Sequence, residues 1–177
     1  MRHTQLLTSI ALCLTAALPA HAAVSSGTVT IAGTFSFDFD AGVVTVGISA
    51  PSDIFWEQFT ATTRAVMPVS SATVLNLGVV DYGSVDLVAL SGFPYGLAGI
   101  SGSDVGSLLV PGNVFAVKTD MGNYAKVLVT GPFNAGMNNG LPIKWVTLAP
   151  IPEPASLVLW AAGLGGLVLA LRRRKTQ

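Results

Sequence analysis

Thr28-Val29-Thr30-Ile31-Ala32-Gly33-Thr34-Phe35-Ser36-Phe37-Asp38-Phe39-Asp40 alternates without a break. Val29, Ile31, Gly33, Phe35, Phe37 and Phe39 fall on one side, and Thr28, Thr30, Ala32, Thr34, Ser36, Asp38 and Asp40 on the other. Period two is the mark of an extended strand, because successive side chains point to opposite faces. An apolar, aromatic face backed by Thr, Ser and Asp predicts an antiparallel strand with one buried and one wet side. Asp40-Ala41-Gly42 has turn chemistry, and Val44, Val46 and Ile48 resume the pattern. Residues 29–48 therefore predict a hairpin.

The segments that follow are short and closely punctuated. Ser52 or Asp53 could cap a short helix over Ile54-Phe55-Trp56-Glu57-Gln58-Phe59, and the same residues could equally form an aromatic-rich strand. Thr60–Thr63 and Met67-Pro68 read as loop or edge strand. Thr73–Val80 and Val85–Leu90 predict strands separated by the turn Asp81-Tyr82-Gly83-Ser84. Residues 91–112 read as a long loop with one short element near Val105–Val110. A second hairpin joins Val114–Lys118 to Tyr124–Val129 through a turn at Asp120–Asn123, where Gly122 and Asn123 accept positive φ. After a loop over 131–142, Ile143–Leu148 is the last strand, with Trp145 in it. The expected fold class is mostly β: an antiparallel, β-sandwich-like or related Greek-key exported domain, followed by one C-terminal transmembrane helix.

The ends of the chain differ from its middle. Arg2 and His3 precede an apolar stretch, Leu6–Leu18, too short for a comfortable membrane span. Pro19 and the Ala20-His21-Ala22 triplet then give a signal peptide over 1–22, with Ala20 and Ala22 defining the cleavage site. Leu12 before Cys13 lacks the small residue a lipoprotein signal places there. Cys13, His3 and His21 are the only Cys and His residues, so the domain over 23–149 holds neither thiol nor imidazole. A Ser-His-Asp triad, a thiol nucleophile and a His-ligated zinc are excluded there. Arg64, Lys118, Lys126 and Lys144 stand against Asp38, Asp40, Asp53, Glu57, Asp81, Asp86, Asp104 and Asp120, four against eight, a net of minus four. With no basic patch, nucleic acid is not an expected partner.

At the other end, Pro152-Glu153-Pro154 precedes an uncharged apolar run from Ala155 to Leu171, then Arg172-Arg173-Arg174-Lys175. As a helix the run would span about 25 Å, slightly less than a bilayer core. Snorkelling basic residues and an interfacial Trp160 would extend its reach, and the basic cluster would stay cytoplasmic. Two prolines disfavour helix before Ala155, so the tripeptide is expected extended and accessible. Gly163-Leu164-Gly165-Gly166 would allow close packing on another helix.

A Pro-Glu-Pro, apolar helix and Arg-rich end in that order resembles the PEP-CTERM sorting signal of Gram-negative bacteria, over 150–177. The resemblance implies that Pro152, Glu153 and Pro154 are read by a membrane-embedded exosortase, with Arg172, Arg173, Arg174 and Lys175 as the cytoplasmic anchor. It implies transient anchoring in the inner membrane, then the cell surface or extracellular matrix, with exopolysaccharide as an associated partner and biofilm as the setting. The same signal occurs on some ice-binding proteins, and Thr28-Val29-Thr30 is a single T-x-T unit without repetition.

For the domain itself the sequence predicts a non-enzymatic protein with no cofactor and no metal. A carbohydrate-binding module using Trp56 and Phe55 as ligand contacts, with Tyr95, is the alternative. The remote one is a hydrolase using Asp53 and Glu57, which would share one face if that region is helical. Asp38-x-Asp40-x-Gly42 opens like a calcium loop but lacks the later carboxylates; Asp81, Asp86 or Asp104 would have to supply one in space.

Overall fold

The computed structural model describes residues 23–132 and 139–150. Among these residues, ten strands form two antiparallel five-stranded sheets. The first sheet contains β1 (Ala23–Ile31), β6 (Thr73–Val79), β8 (Asn113–Lys118), β9 (Tyr124–Val129) and β10 (Leu141–Leu148), in the order β1-β10-β9-β8-β6. The second contains β2 (Phe35–Asp38), β3 (Val43–Val46), β4 (Ile54–Gln58), β5 (Arg64–Pro68) and β7 (Ile100–Ser101), in the order β3-β2-β4-β5-β7. Their inner faces share one core that includes Ile31, Phe37, Phe39, Trp56, Val66, Phe115, Val127, Ile143 and Trp145. Among the described residues no helix is long and apolar enough to cross a membrane; the expected span over 155–171 lies outside them.

The alternating run is two strands, not one arm of a hairpin. β1 pairs with β10 in the first sheet, and β2 pairs with β3 and β4 in the second. The chain changes sheet at Ala32–Thr34, where Thr34 takes φ 68°. The Thr34 N–H donates to the Trp56 carbonyl at 2.9 Å, and the Phe35 N–H to that of Ala32 at 3.2 Å. The hairpin is therefore Phe35–Val46. The expected wet face is also corrected at Ser36 and Asp38, which are buried. Ser36 is satisfied by the Ser52 hydroxyl at 2.8 Å, and Asp38 by backbone N–H groups.

Residues 54–58 form a strand, whose register with Phe35–Phe37 settles the choice that periodicity left open. Pro68 ends β5, which lies inside its sheet. Val85–Leu90 is not a strand. A 3-10 turn (Tyr82–Ser84) leads into the helix α1 (Leu87–Gly92), because the Asp86 carboxylate accepts the Ala89 N–H at 2.8 Å as an N-cap. This segment covers the outer face of β8 and β9 with a second apolar cluster around Val85, Leu90, Val114 and Ala116. Lys126 ties it down, donating to the carbonyls of Tyr82 and Val85 at 2.9 and 2.8 Å. The short element of the 91–112 loop is β7, earlier than Val105–Val110.

Phe37 joins the two layers. Its ring meets Trp145 edge-on at 4.8 Å and Phe39 at 4.9 Å. Gly27 lies directly opposite Trp145 in the β1–β10 register, and a Cβ there would sit 2.8 Å from the indole. Trp56 is fully buried. Removing its side chain by Trp56→Ala should destabilise the domain by about 3–5 kcal/mol, read as a lower midpoint in urea unfolding followed by circular dichroism. A loss under about 1 kcal/mol would contradict the core role.

Candidate functional site: the tail junction and an acidic knot

β10 is the last described strand and leads straight to the C-terminal tail. Leu148 pairs with Tyr124 on one side and Ala23 on the other. The first described strand thus begins beside the point where the last one ends, at one end of the first sheet. That end is closed by the 119–123 turn, in which Gly122 takes φ 82°. Beside it the Phe39 carbonyl accepts the hydroxyls of Ser25 and Thr147, the latter at 2.7 Å. The tail leaves a strand end fixed on both flanks and from below.

Residues 150–175 match the PEP-CTERM protein-sorting motif. The chain carries this motif directly after its last described strand, and the motif supports an exported protein processed by an exosortase at the membrane. Comparison with curated proteins and with solved structures found no match. Pro152, Glu153, Pro154, the Arg172–Lys175 cluster and the Ala20/Ala22 cleavage site lie outside the described residues.

The expected ligand contacts are placed differently. Trp56 is fully buried and Phe55 is 9% exposed. The indole N–H donates to the Asn139 carbonyl at 2.6 Å, and the backbone at Gly102 lies so close that a Cβ there would be 2.5 Å from the ring. Neither ring offers a free stacking face: both are buried, and the backbone at Gly102 lies on the indole. The Tyr95 hydroxyl donates to the Leu90 carbonyl at 2.8 Å, so that ring belongs to the second cluster. Asp53 and Glu57 are four residues apart across a strand, about 13 Å along its axis. They do not form the facing carboxylate pair that glycoside hydrolysis needs.

One acidic group does assemble. Asp38, Asp40 and Asp53 bring carboxylate oxygens within 4.8 Å of one another. The carboxylates that sequence reasoning offered as further ligands are engaged elsewhere. Asp81 accepts the Gly83 N–H at 3.0 Å, Asp86 caps α1, and Asp104 pairs with Arg64 at 2.6 Å. Asp53 is the partner that the local motif did not reveal; pairing of β2 with β4 delivers it.

The knot is built as a hydrogen-bond clasp. Asp53 accepts the Phe39 N–H and the Asp120 N–H, each at 2.8 Å. It thereby ties the end of the second sheet to the β8–β9 turn of the first. Asp38 accepts the N–H groups of Asp40 and Ala41 at 2.8 and 2.9 Å, and the Asn123 amide donates to Asp40 at 2.8 Å. Burial pushes the Asp53 carboxyl up to about 7, the two N–H bonds oppose that rise, and the charges of Asp40 and Asp120 add to it.

A carboxyl raised in the folded state keeps its proton while the unfolded chain has lost it. Its contribution to stability therefore declines as pH rises from about 4 to about 7, by up to about 4 kcal/mol. Asp53→Asn should remove this decline, while costing about 1–3 kcal/mol at pH 5 because one N–H loses its acceptor. Urea unfolding of both proteins at pH 5 and pH 8 checks this. A gap between them that stays the same at both pH values would contradict the assignment.

Proposed function

We propose that the protein is a non-enzymatic component of the cell surface or extracellular matrix of a Gram-negative bacterium, delivered there by its C-terminal tail. The observation that carries this reading is the sorting motif at 150–175, set immediately behind a folded two-sheet domain. The tail would hold the domain on the outer side of the inner membrane while the exosortase acts, and processing would then free the domain. Function at the destination would be display, through loops and outer sheet faces. Exopolysaccharide is the partner class that the sorting signal suggests.

The domain's interior chemistry agrees with a scaffold. Of its eight carboxylates, Asp38, Asp53, Asp81, Asp86 and Asp104 have oxygens spent on caps, turns and an ion pair. Trp56 and Phe55 are core residues and Tyr95 belongs to the second cluster, which weighs against a carbohydrate-binding module that uses them.

Glu153→Gln keeps the size and apolar flanks of the tail and removes only the charge. In cells that make the processing enzyme, the variant should accumulate as the uncut, membrane-bound form, seen as the larger band in the membrane fraction. Release at the wild-type level would refute the reading of Glu153 as the recognised group.

A further inference from the structure

The distance between the folded domain and the membrane is limited by chain length alone. β10 ends at Leu148, and the apolar run starts at Ala155. The residues between, 149–154, span at most about 20 Å when fully extended. The Pro-Glu-Pro tripeptide lies within that gap. An enzyme that reads it from the membrane therefore works against the end of the domain that the tail leaves.

Two apolar side chains are exposed at that end. Ala23 pairs with Leu148, Leu148 with Tyr124, and Tyr124 with Lys118, so the start of β1 and the 119–123 turn flank the exit point. Met121 in the turn is 72% exposed, and Val24 at the start of β1 is 45% exposed. The end is rigidly held, since the Asp53 clasp, the Asn123–Asp40 bond and the Thr147–Phe39 bond all converge on it. Asp40 and Asp120 lie in the same rim as the exposed Lys118, so the rim offers no basic cluster for anionic lipid headgroups.

We propose that the tail-exit end of the domain, with Met121 and Val24 as its apolar contacts, docks on the membrane-embedded exosortase and positions the Pro-Glu-Pro segment for processing. This rests on the sorting reading above. It makes the folded domain part of the substrate, with the tail as the part that is cut.

The test follows loss of the tail from the full chain, by mass and band shift, in cells making the enzyme. The Val24→Asp/Met121→Asp double variant should lose its tail at least fivefold more slowly than wild type. Val105→Asp, at a residue 90% exposed in the loop beside the opposite end, should be processed at the wild-type rate. Ten Gly/Ser residues inserted between Ala149 and Pro150 should abolish the difference between the double variant and wild type, because docking no longer sets the position of the tripeptide. An unchanged thermal midpoint in the double variant separates docking from folding.

Wild-type processing of the double variant, with Glu153→Gln still blocked, overturns the docking proposal and leaves the sorting reading intact. Normal processing of Glu153→Gln overturns both. Binding of the tail-less domain to phosphatidylglycerol vesicles, lost in the double variant, would assign the contact to lipid and also overturn the proposal.

Discussion

The turn from Ile31 to Phe35 carries the chain from one sheet to the other, and the sandwich closes around it. Thr34 adopts a left-handed backbone conformation that a β-branched residue takes only at a cost of about 1–3 kcal/mol. Backbone bonds to Trp56, from Phe35 to Ala32 and from Gly47 to Thr34 hold it there. Because both sheets turn apolar faces inward, Ile31 before the turn and Phe37 after it enter the same core from opposite layers. Phe37 then reaches Trp145, and Gly27 leaves room for the indole on the neighbouring strand. Without that change of layer, Phe35–Asp38 would not reach the second sheet.

The pairing of β1 with β10 has a consequence for export. The strand that follows the predicted signal peptide and the strand that precedes the sorting motif are hydrogen-bonded neighbours. The first sheet can be completed only when almost the whole domain is available to fold. Such long-range pairing carries a loop-closure cost that local hairpins avoid. The Phe39 carbonyl, shared by Ser25 and Thr147, secures both strands at the end where the tail departs.

The sorting motif was legible because it is contiguous: composition and order within a short segment define it. The β class and the hairpin over 114–129 were legible for the same reason, since period two and turn residues are local signals. The change of sheet was hidden because alternation continues through the turn when both inner faces are apolar. Asp53 escaped because its partners come from the β2–β3 turn and the β8–β9 turn, and only strand pairing brings them together. Trp56 beside Phe55 reads equally well as a binding platform or as core; the backbone around Gly102, laid over the ring, decides it. Val85–Leu90 alternates weakly enough to pass for a strand, and the capping carboxylate of Asp86 makes it a helix.

The domain is a two-sheet cargo, and the sorting motif behind it is the address. The most direct test is the mass of the C-terminal peptide of the unmodified protein recovered from the cell surface and the medium. A terminus upstream of Ala155, with the apolar run and the Arg172–Lys175 cluster gone, is the predicted result. Recovery of the exported protein with Gln177 still at its end would contradict the account.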